Sequence, residues 1–208
     1  METREGLALG CGDKFHGESW VHLDISDLGH VDVIHDLQEG TLPFDNNSFE
    51  KVRAVHVLEH LSQEAMISIL KEISRVTVPG GEVYIVLPHF LSWNASDLDH
   101  FRAGSRRTFV QFTAEYTMNT PYPTLFSEES IEYAVEDYWL YKAALKIFSY
   151  PRVSQLFPNA VREIQYTFEN IGGVTEKQEG LKCEYDPGEA DYLHRKIHDL
   201  EKDLEELQ

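Results

Sequence analysis

Residues 6–26 read GLALGCGDKFHGESWVHLDIS. The apolar run from Gly6 to Cys11 is short and ends at a glycine turn, as a buried strand does. A second apolar-alternating run, Trp20–Ile25, begins just after Asp13–Ser19. Parallel neighbours need a crossover of about a dozen residues, usually a helix. Cys11–Ser19 falls short of that, so the sequence predicts an irregular or single-turn crossover. A helix N-terminus is what favours a pyrophosphate. Without one, the glycine turn is free to curl over a ligand, and it suits a nucleoside without phosphates better than a dinucleotide. The plainer alternative is that Gly10 and Gly12 only make a tight turn.

Further runs set the fold class. Val31–Leu37 is β-branched with an acid, Asp36, next to its last position, Phe49–Leu58 is apolar-rich, and Glu82–Leu87 is the strongest strand pattern. Gln63–Val78 has helical spacing, with Ala65, Ile69, Leu70, Ile73 and Val76 on one face, and Pro79-Gly80-Gly81 is read as its stop. Strands alternating with a helix predict an α/β fold with a parallel sheet and crossovers. Beyond Pro88, Ser92–Arg107 reads as a loop and Ser130–Leu140 as a strand. Lys142–Phe148 and Pro158–Asn170 read as helices, and Glu179–Tyr185 as a last strand. Near the end, Leu193, Ile197, Leu200, Leu204 and Leu207 form a short heptad seam flanked by charges. Two heptads are too few for a free helix in water, so the seam pairs with a second copy or docks on its own domain. The expected organisation is one domain over 1–186 and a helical segment over 187–208.

Composition narrows the partners. Thirty-six acids face 18 bases in 208 residues, a formal net charge of −18. Such a field opposes nucleic acid and anionic membranes, and no run of 18 apolar residues exists to span a bilayer. The first residues, METREGLALG, lack the pattern of a secretory leader. Two cysteines, Cys11 and Cys183, are read as reduced thiols in a cytoplasm.

Parallel sheets present ligands at the carboxyl ends of their strands. Those ends carry Gly10-Cys11-Gly12, Asp24, Asp36, His56 and His89. A carboxylate at the second strand end accepts from both hydroxyls of a ribose, which is the role expected of Asp24. Asp36 can accept from an adenine amino group. His56, Glu59 and His60 stand at i, i+3 and i+4, one face of a helix if a helix starts here, and imidazoles with a carboxylate can hold a divalent metal. In Asp97-Leu-Asp99-His100-Phe-Arg102, a histidine flanked by acids has the character of a general base. Trp93, Phe101, Phe109, Phe112 and Tyr116 line an acceptor pocket or belong to the core. Arg106 and Arg107 meet a substrate anion or local acids.

LALGCG, HLDIS, VIHDL, LPFDNNSFEKVRAVHVLEHL and VTVPGGEVYIVLP together resemble the class I S-adenosylmethionine-dependent methyltransferases. The closest pattern is the small, type 11-like group with a shortened first crossover, over residues 6–112. The resemblance implies a Rossmann-like, mostly parallel sheet with an antiparallel last strand. It implies S-adenosylmethionine as cofactor, with Gly10, Cys11 and Gly12 against its methionine part. Asp24 and Ile25 would lie at the ribose, Asp36 and Leu37 at the adenine, and His56 beside the methyl donor. Some O-methyltransferases of this likeness hold magnesium with an acid-x-x-Glu-His set. Here the set would be His56, Glu59, His60 and His100, and His56 in place of the acid is a poorer magnesium ligand. The implied reaction is methyl transfer to an oxygen of a small molecule or glycan, with His100 as base and His56 and Asp97 beside it. The alternative is a non-catalytic cofactor-binding and oligomerisation module. A dehydrogenase would need a third glycine opening a helix, and GCGDKF supplies neither.

Overall fold

Arg4–Leu9 forms β1, an interior strand of a seven-stranded sheet in order β3-β2-β1-β4-β5-β7-β6. In this computed structural model the described residues are 4–116, 118–135 and 161–174. The chain divides into two compact units, Met1–Lys177 and Gln178–Gln208, and every described residue belongs to the first. Leu7, Ala8 and Leu9 are all buried, as a parallel strand covered on both faces must be. β1 pairs in parallel with β2 (Trp20–Asp24) and β4 (Phe49–Val55). β3 (Val33–Ile34) extends the sheet on one side and β5 (Thr77–Pro88) on the other, both in parallel. β7 (Val161–Val174) and β6 (Thr124–Val135) then add as antiparallel strands.

The short first crossover is irregular, as its length requires. Gly10–Ser19 contains turns but no helix. Rings take the place of a helix there. Phe15 stacks on His22, with centroids 4.9 Å apart, and His16 tilts against Trp20 at 5.4 Å. The His16 N–H donates to His22 Nε2 at 2.9 Å, which places the proton of buried His22 on Nδ1, 3.1 Å from Asp32. Trp20 also explains Gly6, since a Cβ there would lie 2.5 Å from the indole.

Helix α1 (Gln63–Val76) is capped by Ser62, whose hydroxyl accepts the Ala65 N–H at 3.2 Å. Its buried stripe, Ala65, Met66, Ile69, Leu70, Ile73 and Val76, contains the face read from the sequence. The helix stops two residues sooner than the spacing suggests. Thr77 is already extended, and its hydroxyl donates to the Ile73 carbonyl at 2.6 Å. Pro79-Gly80-Gly81 therefore lies inside β5, at a register shift against β4. Gly81 permits that approach, because a Cβ would come 2.7 Å from the Glu50 carbonyl oxygen.

The helix expected over Pro158–Asn170 is instead strand β7 in its described part. Helical spacing singles out Val161, Ile164 and Phe168 and passes over Tyr166. The buried residues from Ile164 onward are Ile164, Tyr166, Phe168 and Asn170, a period of two. β3 is shorter than Val31–Leu37 because Asp36 turns the chain and caps a 3-10 turn over Leu37–Glu39. β6 begins earlier than Ser130. Its expected end over 136–140, the helix over Lys142–Phe148, the strand over Glu179–Tyr185 and the heptad seam all lie outside the described residues.

After β5 the chain makes a closed loop over residues 89–104. The Phe90 N–H donates to the Gly104 carbonyl at 3.0 Å, and the Gly104 N–H donates to the Pro88 carbonyl at 2.7 Å. Only glycine fits at the closure, since a Cβ on Gly104 would lie 2.4 Å from Ile164. Among the described residues no helix is long and apolar enough to cross a membrane.

Candidate functional site

The carboxyl ends of the parallel strands enclose a cavity of about 480 Å³. The turn after β1 contributes Gly10 and Gly12, and the end of β2 contributes Leu23, Asp24 and Ile25. His35, Asp36, Leu37 and Gln38 line it after β3. His56, Val57, His60 and Leu61 line it after β4.

The two glycines differ. Both have left-handed backbones, with φ of 57° at Gly10 and 56° at Gly12. A Cβ on Gly10 would lie 2.4 Å from Val57 Cγ2, whereas one on Gly12 would meet nothing within 4 Å. The first is a packing requirement, and the second leaves backbone open to the cavity. Cys11 lies between them but is not among the lining residues. Its thiol is buried, 4.0 Å from His30 Nε2, and burial followed by the charge of Asp24 pushes its pKa up.

Asp24 ties the first two strand ends together. Its Oδ2 accepts the Gly12 N–H and its Oδ1 the Ser26 N–H, both at 2.9 Å. A carboxylate has about four acceptor positions, so each oxygen keeps capacity toward the cavity. Asp36 caps the next turn, with Oδ1 accepting the Gln38 N–H at 2.8 Å. Gln38 reaches across, donating through Nε2 to the His60 carbonyl at 3.0 Å.

His56 directly follows β4, with φ of 53°, a conformation that a β-carbon disfavours. The sequence places His56, Glu59 and His60 on one helical face. The structure brings them near one another without an α-helix, through this left-handed residue and a 3-10 turn over Leu58–His60, while α1 begins at Gln63. The imidazole lies between two acids: Nδ1 is 3.3 Å from Glu59 Oε1 and Nε2 is 3.2 Å from Glu163 Oε1. The bond to Glu59, opposed by burial and aided by the charge of Glu163, raises the His56 pKa.

Behind His56 lies a second group. Glu59 is fully buried, and its Oε2 has no hydrogen-bond partner among the described residues. His100 Nδ1 is buried and likewise unpartnered. The His60 and His100 rings meet edge-on at 4.7 Å. One ligand atom each of Glu59, His60 and His100 falls within 4.8 Å of the others. The closed loop delivers His100 to this place, with the Phe101 N–H donating to the Glu59 carbonyl at 2.8 Å.

The structure thus gathers Gly10, Gly12, Asp24, Ile25, Asp36, Leu37 and His56 on one cavity, and Glu59, His60 and His100 in an adjoining cluster. Asp97 offers His100 its backbone carbonyl, at 3.0 Å. It is Asp99 that sets a carboxylate beside a histidine, with Oδ2 3.3 Å from His60 Nδ1. His89 is buried away from the cavity and packs on Phe90 and Tyr133. Phe109 and Phe112 belong to the core, while Trp93 and Phe101 are exposed. Arg102 donates to Gln63 and Arg106 faces Glu128 at 3.6 Å. Sequence reasoning passes over Glu163, Val57 and Gln38, and it sets Asp99 beside His100 where the structure sets it beside His60. Glu163 reaches the site only through the antiparallel pairing that sets it opposite Pro88, which no local pattern announces.

Residues 19–85 match the family described as methyltransferase domain. The sheet as a whole matches a SAM-dependent methyltransferase from Archaeoglobus fulgidus at a TM-score of 0.57. That pair is 16% identical over 80% of this chain and 86% of the other. The described sheet has the fold of the S-adenosylmethionine-dependent methyltransferases, and part of it carries the methyltransferase-domain match. Other matches to the same methyltransferase fold include the N-methyltransferase NodS from Bradyrhizobium japonicum in complex with S-adenosyl-L-homocysteine. It has 13% identity, covers 80% of this chain and 78% of that one, and gives a TM-score of 0.51. The [4+2]-cyclase SpnF also matches, with 14% identity, 82% and 76% coverage and a TM-score of 0.53. At these identities the likeness concerns the fold, and a fold hosts several chemistries. No curated protein matches by sequence.

Proposed function

We propose that this chain transfers the methyl group of S-adenosylmethionine to an oxygen of a small molecule or glycan. The observation that carries the reading is the cavity at the strand ends, where Asp24 is fastened to Gly12 opposite an adjoining histidine–carboxylate cluster. Its volume of about 480 Å³ suits a nucleoside-sized ligand. The open backbone at Gly12 fits a close approach of the methionine part. Asp24 has acceptor capacity for the ribose hydroxyls, and exposed Ile25 offers an apolar rim beside it. Asp36 and Leu37 border the adenine.

When bound, the cofactor supplies a sulfonium methyl as the electrophile. The protein aligns the acceptor oxygen and takes its proton. His56 at the cavity wall positions the reacting groups. His100, on the loop that also carries Asp97, accepts the proton. The same loop exposes Phe90, Trp93 and Phe101, flat apolar surfaces of the kind that pack on the C–H face of a sugar or an aryl ring. The net charge of −18 favours such an acceptor over a polyanion. The heptad seam over 187–208 pairs two copies.

Titration calorimetry with S-adenosylmethionine, S-adenosylhomocysteine and NAD tests the cofactor assignment. The two sulfur nucleosides bind and NAD does not. Asp24→Ala weakens both about 10- to 100-fold, the loss expected for bonds to a charged acceptor, while His100→Ala leaves affinity unchanged and lowers turnover in a screen of hydroxylated acceptors. Equal binding of NAD, or an indifferent Asp24→Ala, refutes the assignment. Sedimentation of the full chain and of a chain ending at Asp186 reports on the seam, and pairing is refuted if both have the same mass per particle.

A further inference from the structure

We infer that Glu59, His60 and His100 form a binding site for one divalent metal ion of the zinc class, with His56 as the residue that orients Glu59 and not as a ligand. Two observations point to a ligand here independently. Glu59 Oε2 is buried and unpartnered, and so is His100 Nδ1, a second polar atom from a different part of the chain. Buried polar atoms are normally satisfied, and both belong to residues that, with His60, each bring one ligand atom within 4.8 Å of the others. A single ion satisfies both at once.

The surrounding bonds assign the roles. Glu59 Oε1 is engaged by His56 Nδ1 at 3.3 Å, which leaves Oε2 free to ligate. His60 Nδ1 lies 3.2 Å from the Asp99 carbonyl and 3.3 Å from its carboxylate. That fixes the ring and leaves Nε2 for an ion, in the manner of the carboxylate-backed histidines of metal sites. His56 spends its other nitrogen on Glu163 at 3.2 Å, so neither of its nitrogens is free. The sequence pattern offered His56 as a ligand, and the geometry moves it one step outward.

The donor set chooses the ion. Two imidazoles and one carboxylate suit zinc and its transition-metal neighbours, whereas magnesium keeps oxygen ligands and water. Three protein ligands leave a position open, and His60 also borders the cofactor cavity. An oxygen ligand on such an ion is more acidic, so the site would favour a hydroxyl acceptor. That last link rests on the proposed methyl transfer, whereas the metal site stands on the cluster alone. With the ion bound, His100 acts in the proposed transfer as a ligand in place of a base, and the proton of the acceptor hydroxyl passes to water.

The test uses the full-length chain stripped of metal, with no S-adenosylmethionine present. Zinc titrated by calorimetry is expected to bind one ion per chain, at least 100-fold more tightly than magnesium. Cobalt(II) in its place should give visible d–d absorption of a low-coordinate N/O site. His100→Ala and Glu59→Gln are expected to weaken zinc at least 100-fold and abolish the cobalt bands, while His56→Gln keeps one ion per chain with a smaller loss. A far-UV circular dichroism spectrum and a urea midpoint close to the parent's show that each variant is folded. The inference is overturned by zinc binding that His100→Ala leaves unchanged, since the ion would then sit on other histidines. It is equally overturned by no stoichiometric binding, or by His56→Gln acting as severely as His100→Ala. None of these outcomes touches the cofactor assignment, which the nucleoside titrations decide separately.

Discussion

A glycine is informative only where the structure says what it avoids. Gly10 and Gly12 share the left-handed backbone, so alanine costs each about 1–2 kcal/mol from conformation alone. At Gly10 the new methyl also meets Val57 at 2.4 Å, and overpacking adds about 1–3 kcal/mol. Gly10→Ala is therefore expected to lower the urea midpoint more than Gly12→Ala, and Val57→Ala should return part of the Gly10→Ala loss. Equal midpoints for the two single variants would contradict the contact. His89 is another residue whose effect has a sign. Burial pushes its pKa down to about 4, and its Nδ1 accepts the Leu91 N–H at 3.3 Å. The unfolded chain takes up this proton near pH 6.5 and the folded chain refuses it. The stability held by neutral His89 is thus complete above pH 6.5 and declines as pH falls toward 4, by up to about 1.4 kcal/mol per pH unit. Urea titrations of His89→Gln across that range should show a shallower acid limb than the parent, and parallel limbs would dismiss the effect.

Elements were legible in the sequence in proportion to how local their cause is. The first two strands, their helix-free connection, α1 and the core of β5 follow from periodicity, glycine placement and loop length, all readable within about twenty residues. β7 reads as a helix from sequence because Val161, Ile164 and Phe168 satisfy a helical period, while Tyr166 and Asn170 complete a strand period, and only the β5 and β6 partners decide between them. The candidate site divides the same way. Strand-end residues such as Asp24 and Asp36 were visible, whereas the meeting of His100 with Glu59 depends on a loop closed at Gly104 and on backbone contacts forty residues apart. Asn170 shows how much a distant pairing can hold. It is fully buried, accepts the Ser74 hydroxyl at 2.7 Å, and donates to the carbonyls of Ser74, Thr77 and Val78 at 3.0, 2.7 and 3.2 Å. It thereby fastens β7 to the end of α1. Asn170→Leu strands those buried groups, at about 1–3 kcal/mol for each left unsatisfied, and so is expected to cost roughly 3 kcal/mol or more in chemical denaturation. A loss under about 1 kcal/mol would mean that water replaces the amide.

At the scale of the whole molecule the dominant quantity is charge. The chain carries −18, and under the proposed function its two nucleosides differ in charge. S-adenosylmethionine has a sulfonium and is a net monocation near pH 7, while S-adenosylhomocysteine is neutral overall. A field spread over many acids attracts the first and is indifferent to the second. Local contacts at Asp24 and Asp36 serve both alike, because the ribose and adenine are common to them. The field is screened over about 30 Å at 0.01 M salt but over only about 3 Å at 1 M. Raising the salt should therefore weaken S-adenosylmethionine binding, chiefly through slower association, and leave S-adenosylhomocysteine nearly unchanged. The ratio of the two dissociation constants, measured by stopped flow and calorimetry across that range, isolates the long-range contribution from the shared contacts. If the ratio stays flat, the acidic surface has no part in choosing the charged cofactor over its neutral product, and discrimination belongs wholly to the groups lining the cavity.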